Sequence, residues 1–364
     1  MKAAVYRSFG GPIRVENVPI PPPPERDGVV IQVKATGVCR SDWHGWKGHD
    51  GDVVEHGLPF VPGHEVSGVV VMVGSSVKSL QVGDRVAIPF ILSCGSCRAC
   101  HRHKPTVCHH QQQPGFTQWG SFAEFLSLPR ADRNLCKITS PHVTFVQAAA
   151  LGCRFTTAYR AVLQQGRLQP KQSVAVFGCG GLGLSCVMMA VAGDASTIIA
   201  VDVSSAALEK ARELGATHTL RVGREEDNKS VQKRLLSLTD GEEGVDVSLD
   251  AAGFPSTCEN AVWCTRRGGG RMVQVGLPIG SRDPIIPMGW VAGREIEIVG
   301  SHGFAADDLP HLLGLVASNK LDPARLVERC VSLEEGIRTL QNMDNASPIG
   351  MTVITDFGND QSRL

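Results

Sequence analysis

Short runs in which apolar and polar residues alternate dominate the chain up to about residue 150. Clusters of glycine and proline separate these runs, which cover 3–6, 29–35, 66–73, 85–88 and 122–128. A period of two is the pattern of a half-buried strand, and helical spacing is scarce in this part. The pattern therefore predicts a β-rich domain, a folded-over barrel or sandwich with long loops.

From about residue 153 the pattern changes to continuous apolar runs separated by helix-like segments. The apolar runs cover 173–177, 198–201, 245–249, 271–275 and 296–299. The helix-like segments cover 181–192, 204–214, 229–238 and 256–264. Strands buried on both faces and alternating with helices predict a doubly wound α/β domain with a parallel sheet. The tail beyond about residue 300 is too short for its own core, so we expect it to pack on the first domain.

Composition and charge exclude several classes of function. Hydrophobic residues make up 42% of the 364 residues, and 36 Lys and Arg balance 36 Asp and Glu. A balanced charge attracts neither nucleic acid nor an anionic membrane, so we expect neither partner. The N-terminus turns polar too early for a signal peptide, and no apolar run is long enough for a membrane span, which predicts a soluble, cytoplasmic protein. The C-terminal Ser362, Arg363 and Leu364 resemble a peroxisomal address, which makes that organelle the alternative in a eukaryote.

A glycine-rich turn follows the predicted strand at 173–177. It has the pattern G-x-G-x-x-G, and its key residues are Gly178, Gly180, Gly181, Leu182 and Gly183. Glycines here allow backbone amides to approach a pyrophosphate at a helix N-terminus. Asp202 ends the next strand, where a carboxylate binds ribose hydroxyls and repels a 2′-phosphate, and no arginine follows at 203–205. The stretch predicts a dinucleotide site that favours NAD over NADP.

Four cysteines crowd into one short lobe, at about 94–108. They are Cys94, Cys97, Cys100 and Cys108. Four thiolates close a tetrahedral shell and leave no position open, which indicates a structural zinc site. An iron–sulfur cluster also uses four cysteines, but the small and basic residues between them do not indicate an electron-transfer partner.

The densest group of reactive side chains lies at 39–44, directly after a predicted strand. A catalytic zinc takes three protein ligands and keeps an exchangeable position, and Cys39, His64 and Cys153 offer two thiolates and an imidazole. Glu65 is a further candidate ligand or a hydrogen-bonding partner of the site. Because these residues are far apart in the sequence, spacing alone leaves open that Cys39 is a buried free cysteine in a strand-to-helix turn.

Taken together and in this order, the motifs resemble the zinc-dependent alcohol dehydrogenases of the medium-chain dehydrogenase/reductase superfamily. The segments that carry the resemblance are 37–44, 63–65, the four-cysteine lobe, 152–153, 178–183 and Asp202. The resemblance implies a GroES-like catalytic domain at 1–154, a Rossmann NAD-binding domain at 155–298 and a return to the catalytic domain at 299–364. It also implies two zinc ions per chain, NAD, and the interconversion of alcohols with aldehydes or ketones.

The resemblance assigns roles by position. The implied catalytic zinc ligands are Cys39, His64, Cys153 and, as an alternate, Glu65. The implied catalytic residues are Ser41 and His44 of the proton relay and Asp42, which orients the zinc-bound imidazole. The implied coenzyme contacts outside the glycine-rich turn are Arg40 at the pyrophosphate, Thr157 near the nicotinamide, and Asp202. Candidates for the substrate pocket are Trp46, Phe90, Phe116 and Trp119.

Some positions depart from the family pattern. Arg154 stands where relatives often have glycine, and Gly350 lies near the place where some members carry a phosphate-binding arginine, which leaves coenzyme affinity open. The segment before the lobe lacks the extra length of dimeric vertebrate-type enzymes, so we expect a homotetramer, with a homodimer as the alternative. Trp43 has no role that the family implies.

Other functions remain to be weighed. The same scaffold serves polyol, threonine and aryl-alcohol dehydrogenases, although Ser41 together with His44 favours simple alcohols. A non-catalytic NAD-binding protein would have broken metal ligands, and here the ligands are intact. A zinc hydrolase would leave the nucleotide signature at 178–202 unexplained.

Overall fold

The computed structural model describes residues 1–224, 226–277, 282–345 and 348–358. The chain separates into two compact units, one formed by Met1–Thr156 with Gly303–Leu364 and the other by Thr157–His302. The tail expected to return to the first domain therefore belongs to the first unit. The C-terminal Ser362, Arg363 and Leu364 lie outside the described residues. Among the described residues, no helix combines the length and apolar character needed to cross a membrane.

The described strands and helices follow one another along both units. The strands are β1 Lys2–Tyr6, β2 Ile13–Asn17, β3 Val29–Val38, β4 Glu65–Val73, β5 Arg85–Ile88, β6 Phe125–Leu128, β7 Cys136–Lys137, β8 Ser173–Phe177, β9 Thr197–Asp202, β10 His218–Arg221, β11 Val247–Asp250, β12 Arg271–Gln274, β13 Glu297–Gly300, β14 Val327–Ser332 and β15 Met351–Asp356. The helices are α1 Arg40–Trp46, α2 Gly51–His56, α3 Arg98–His101, α4 Ala131–Asn134, α5 Phe145–Ala150, α6 Arg154–Tyr159, α7 Gly181–Ala192, α8 Ser205–Glu213, α9 Asn228–Leu236, α10 Pro255–Trp263, α11 Met288–Arg294, α12 Leu309–Ala317 and α13 Leu333–Asn342.

The first unit is built around a seven-stranded sheet with the order β14-β15-β3-β4-β5-β7, in which β6 also pairs with β3. Strand β3 is long and almost entirely buried, because it pairs with β4, β6 and β15. Strand β15 lies antiparallel to the end of β3, with Val353 opposite Gly37. The C-terminal tail thereby supports the segment that leads into Cys39.

The second unit contains a six-stranded parallel sheet with the order β10-β9-β8-β11-β12-β13. The strand order reverses direction between β8 and β11, and ligands of such sheets bind at this switch point. The glycine-rich turn follows β8, so the topology puts it there. This arrangement confirms the predicted doubly wound α/β fold beside a β-rich unit.

The structure adds elements that the hydrophobic pattern did not predict. Helices α1 to α5 have four to seven residues each, too few to show a helical period. Strand β10 was also missed, because only one of its four residues is buried. Several site residues lie on or beside these short elements.

Candidate functional site

The reactive segment begins where β3 ends and α1 starts. Cys39 is the N-cap of α1, with φ −116° and ψ 155°, and its side chain is buried. The Asp42 carboxylate closes the turn, because its Oδ2 accepts a hydrogen bond from the Cys39 backbone N–H at 3.0 Å. This hydrogen bond satisfies a backbone donor at the helix start, and it fixes Cys39 relative to the carboxylate.

Asp42 also fixes the imidazole of His64. Its Oδ1 accepts hydrogen bonds from the Gly63 N–H at 3.0 Å and from His64 Nδ1 at 2.8 Å. The side chains of Asp42 and His64 are fully buried. With Nδ1 engaged, the other ring nitrogen, Nε2, is buried and has no hydrogen-bond partner. A buried nitrogen without a hydrogen-bond partner destabilises the fold unless a ligand binds it. In metal-bound histidines, the ring nitrogen that does not bind the metal usually donates a hydrogen bond to a carboxylate, as Nδ1 does here.

Four donor side chains meet at this point. Donor atoms of Cys39, His64, Glu65 and Cys153 all lie within 4.8 Å of one another. A hydrogen bond from Cys153, with the charges of Arg154 and His64, holds the pKa of the Cys39 thiol well below its ordinary value despite burial. The thiolate is the metal-binding form of cysteine. Two sulfur donors and the unpaired Nε2 of the imidazole therefore fit a zinc ion.

Glu65 is held by a guanidinium. Arg154 Nε and Nη2 donate hydrogen bonds to Glu65 Oε1 and Oε2 at 2.9 and 3.0 Å. Burial raises the pKa of Glu65 above its ordinary value, although the charge of Arg154 opposes this shift. In the sequence, Arg154 is only a departure from the family pattern that bears on coenzyme affinity, whereas the structure places it beside the candidate metal ligands.

Ser41 and His44 lie on α1, and both are half-buried. His44 Nδ1 lies 3.4 Å from Nδ1 of His49, an exposed residue. Burial, together with the charges of Arg40 and His49, lowers the pKa of His44 below its ordinary value. The His44 imidazole is therefore neutral at neutral pH and able to accept a proton.

Trp43 ties α1 to the residues just after α13. Its indole N–H donates a hydrogen bond to Asp344 at 2.7 Å, and the Lys47 ammonium binds the same carboxylate at 2.8 Å. The guanidinium of Arg40 stacks on the Trp43 ring, 3.8 Å from its centroid, and donates to the carbonyl of Met343. These contacts give Trp43 a positioning role that the sequence did not reveal.

Two of the four expected pocket residues lie beside the candidate metal group. The ring centroids of Phe116 and Phe90 lie 4.9 and 5.9 Å from that of His64. Phe304, which the sequence did not single out, packs against Phe90 at 5.8 Å. Phe90 and Phe116 give this side of the group an apolar wall, and Phe304 packs behind Phe90.

The other two expected pocket residues have different surroundings. Trp46 belongs to the hydrophobic core, and its indole N–H donates to the Gly11 carbonyl at 2.8 Å. Trp119 donates to the Pro59 carbonyl and lines a cavity of about 590 Å³ whose wall contains none of the candidate metal ligands. Both tryptophans pair their only polar atom with backbone, and Trp46 is buried in the core whereas Trp119 is half-buried.

The four-cysteine lobe is a separate group with sulfur donors alone. Its members lie within 4.8 Å of one another and are Cys94, Cys97, Cys100 and Cys108. Backbone N–H groups of Ser96 and Cys97 point at Cys94 Sγ from 3.4 and 3.3 Å, and such hydrogen bonds, led by that of Ser96, lower the pKa of Cys94 to about 5. All twelve cysteines are free thiols. The lobe fits a structural zinc and leaves no ligand position for a substrate.

In the second unit the glycine-rich turn joins β8 to α7. Gly178 has φ +89°, and a Cβ there would lie 2.7 Å from Ala252 Cβ. A Cβ on Gly183 would lie 1.7 Å from the Gly178 carbonyl oxygen. Gly180, the N-cap of α7, makes no side-chain cap, and nothing lies within 4 Å of where its Cβ would be. The first N–H groups of α7 are therefore available to an anionic group.

Asp202 lies beside this turn at the end of β9. Its Oδ2 accepts a hydrogen bond from the Cys179 N–H at 2.6 Å, and its Oδ1 accepts one from the Ser204 N–H at 2.8 Å. Arg221 stands opposite Asp202 on β10, and its Nε donates to the Val203 carbonyl at 3.3 Å. The sequence pattern does not reveal Arg221, because Arg221 lies on β10, a strand with only one buried residue, and does not directly follow Asp202.

Two residues near the predicted sites, Phe304 and Asp344, are revealed only by the structure, and the role of a third, Thr157, stays a prediction. Phe304 and Asp344 are far in sequence from the residues they contact, so only a prediction of tertiary contacts would have found them. Thr157 is buried in α6 at the start of the second unit. Its expected place near the nicotinamide stays a prediction.

Comparisons with known proteins cover both units. The family model described as alcohol dehydrogenase GroES-like domain matches residues 25–140, and that described as zinc-binding dehydrogenase matches 181–318. A sorbitol dehydrogenase of Bacillus subtilis is 34% identical over 346 residues, which are 92% of this chain and 91% of that protein. An alcohol dehydrogenase of Geobacillus stearothermophilus is 32% identical over 355 residues, which are 97% of this chain and 98% of that protein. The solved structure of alcohol dehydrogenase TADH from Thermus sp. ATN1 superposes with a TM-score of 0.87 at 31% identity, over 98% of this chain and 100% of that chain.

Proposed function

Because this chain belongs to the zinc-dependent alcohol dehydrogenases of the medium-chain dehydrogenase/reductase superfamily, we propose that it interconverts alcohols with aldehydes or ketones by hydride transfer to or from NAD. The observation that carries the proposal is the buried, unpaired Nε2 of His64 within reach of two cysteine sulfurs. A zinc ion held by Cys39, His64 and Cys153 satisfies that nitrogen. Three protein ligands leave a position for the substrate oxygen.

The residues around the metal group supply the proton chemistry. When bound, zinc supplies Lewis-acid polarisation of the substrate oxygen. During oxidation Ser41 accepts the hydroxyl proton and gives up its own proton towards His44, which releases it to solvent. The lowered pKa of His44 leaves its imidazole neutral and able to accept that proton at neutral pH. Asp42 holds the imidazole ligand in the required orientation. Phe90 and Phe116 keep water from the face of the imidazole that they cover.

The proposed coenzyme is NAD, and the second unit offers the groups that bind it. The N–H groups at the start of α7 suit the pyrophosphate, and the Asp202 carboxylate suits the ribose hydroxyls. Arg221 is a cation near Asp202, and its Nε donates to a carbonyl. We retain NAD over NADP because the Asp202 carboxylate suits a ribose hydroxyl and repels a 2′-phosphate. Arg40 and Thr157 remain the proposed contacts of the pyrophosphate and the nicotinamide.

Simple alcohols are the proposed substrates, with aryl alcohols, polyols and threonine as the alternatives. The two relatives are named sorbitol dehydrogenase and alcohol dehydrogenase, so both polyols and simple alcohols are candidate substrates. The apolar wall of Phe90 and Phe116, with Phe304 behind Phe90, favours simple alcohols over polyols, because a polyol needs partners for its additional hydroxyl groups.

Turnover of ethanol, benzyl alcohol, sorbitol and threonine with NAD and with NADP tests the proposed activity. We expect the highest kcat/KM for ethanol with NAD, and a preference for benzyl alcohol would assign the aryl-alcohol class. A preference for sorbitol would assign the polyol class. Absence of turnover with all four substrates and both coenzymes, in protein that retains two zinc ions per chain, would contradict the proposed activity.

We further propose that the chain forms a homotetramer, or otherwise a homodimer, and acts without nucleic acid or membrane partners. Strand β13 is an end strand of the six-stranded sheet. An exposed apolar side chain, Ile298, lies on it, and three more, Leu277, Ile285 and Met288, lie in the segment between β12 and β13. An uncovered apolar sheet edge promotes aggregation, and a second copy of the chain would cover it. Sedimentation equilibrium measures the number of chains in the oligomer.

The cytoplasmic location, with a peroxisome-type organelle as the alternative, stays a prediction.

A further inference from the structure

The Glu65 carboxylate lies close enough to the other donors to be a fourth metal ligand, yet both of its oxygens are engaged. Its donor atom is within 4.8 Å of those of Cys39, His64 and Cys153. Arg154 binds Oε1 through Nε and Oε2 through Nη2, at 2.9 and 3.0 Å. This two-point geometry is specific to the planar guanidinium group, and a lysine ammonium does not reproduce it.

Glu65 has little room in which to find another partner. It is fully buried and stands opposite Gly37 on the neighbouring strand. A Cβ on Gly37 would lie 2.1 Å from Glu65 Oε2, and a Cβ on Gly152 would lie 2.8 Å from Glu65 Cα. Water therefore does not replace Arg154 easily. A carboxylate that lost this arginine would be a buried unpaired charge unless it reached another cation.

Arg154 is itself anchored, so it cannot follow the carboxylate towards the metal group. Its Nη2 donates to the Val38 carbonyl at 2.8 Å, and its Nη1 donates to the Gly350 carbonyl at 3.4 Å. Its side chain is only 8% exposed. These carbonyls belong to the end of β3 and to the residue just before β15, two paired strands of one sheet.

We propose that Arg154 is a positioning residue that holds the Glu65 carboxylate out of the metal's coordination shell and so keeps a position open for the substrate. This inference rests on the proposed function, because it requires a zinc ion on Cys39, His64 and Cys153. With Arg154 present, its charge cancels that of Glu65. Without Arg154, the carboxylate becomes a fourth ligand, and the site closes as the four-cysteine lobe does.

The test uses the full chain loaded with Co²⁺, with imidazole as an added ligand that enters only an open position. Cobalt absorption bands report the ligand set, and the closed lobe does not respond to imidazole. The wild-type spectrum is expected to shift when imidazole is added. Arg154→Met is expected to lose this shift. It is also expected to release cobalt from this site to a chelator roughly tenfold more slowly, which is the size of effect that residues hydrogen-bonded to metal ligands have on metal binding. The double variant Arg154→Met with Glu65→Gln is expected to regain the shift.

Arg7→Met is the matched control. Arg7 binds Glu16 through the same Nε and Nη2 atoms, at 3.4 and 2.8 Å, but on the surface, so its spectrum should equal that of the wild type. If Arg154→Met does not fold, Arg154→Lys serves instead, and it is expected to need a severalfold higher imidazole concentration for the same shift.

Two negative outcomes are distinguishable. An imidazole response of the Arg154 variant equal to that of the wild type overturns the role of Arg154 and leaves the proposed function standing. A wild type that binds cobalt only at the lobe, or that does not respond to imidazole, overturns the open metal site itself. In the second case the proposed function falls together with this inference.

Discussion

The two cysteine groups of the first unit hold their sulfur atoms in different surroundings. In the lobe, backbone N–H groups of neighbouring residues point at sulfur, and all four donors are cysteines, two of them half-buried and two buried. In the other group, Cys39 is buried together with an imidazole, a carboxylate and a guanidinium. A short segment can build a closed shell from sulfur and backbone alone. An open shell needs distant segments that hold each ligand and keep other groups from the last position.

The largest difference between the two groups should appear when one ligand is removed from the open group. We expect Cys153→Ala to lose one of two zinc ions and to lower kcat/KM by at least about 1,000-fold. Removal of even a single hydrogen-bond donor that stabilises developing charge lowers kcat by about 100- to 1,000-fold, and a metal ion stabilises more charge than one donor. The thermal transition should remain cooperative. Cys186→Ala, a buried thiol outside both groups, is the control. Substantial activity in Cys153→Ala would remove Cys153 from the ligand set.

Removal of a ligand from the lobe should act on stability. We expect Cys100→Ala to lose the other zinc ion and to lower Tm by roughly 5–10 °C, which corresponds to a few kcal/mol in a protein of this size. At a temperature where the variant is folded, kcat should stay within about twofold, because a closed shell binds no substrate. Calorimetry and zinc analysis measure both effects, with Cys136→Ala as the control. An unchanged Tm after zinc loss would contradict a structural role.

A smaller effect is expected when the carboxylate that hydrogen-bonds to the His64 imidazole is changed. Asp42→Asn keeps the size of the side chain but loses the charge that holds His64 Nδ1 and the backbone N–H groups. We expect zinc affinity at the open group to fall by about 10- to 100-fold, as for other groups behind metal ligands, while the lobe retains its zinc. Competition with a chelator measures both sites in one protein. Equal zinc loss from both sites would show a general loss of structure.

The smallest expected effect concerns the proton path. The lowered pKa of His44 keeps its imidazole neutral through the neutral range, and it becomes protonated only at lower pH. His44→Gln should therefore reduce the rate of alcohol oxidation by roughly tenfold near pH 6, which is less than the contribution of a base that contacts the substrate directly. At alkaline pH the variant should have little effect on the rate, because hydroxide accepts the proton. The lobe variant should keep the wild-type pH profile. An unaltered profile in His44→Gln would mean that the proton leaves by another route.

Local features could be predicted from the sequence, and contacts between distant segments could not. The spacing of the four cysteines and the position of the glycine-rich turn after an apolar strand need only neighbouring residues. The pair of Arg154 with Glu65 joins residues 89 positions apart. It depends on where α6 starts relative to β4, which hydrophobic periodicity does not give. Trp46 shows the same limit, because the sequence cannot tell a tryptophan of the core from one of a pocket.

Anomalous diffraction at the zinc absorption edge, from crystals of the full chain, tests the contrast between the two groups most directly. The account predicts two peaks per chain. One should lie within bonding distance of Cys39 Sγ, His64 Nε2 and Cys153 Sγ, with Glu65 still bound to Arg154, and the other should lie among the four sulfur atoms of the lobe. A single peak at the lobe, with His64 Nε2 still unpaired, would contradict the account.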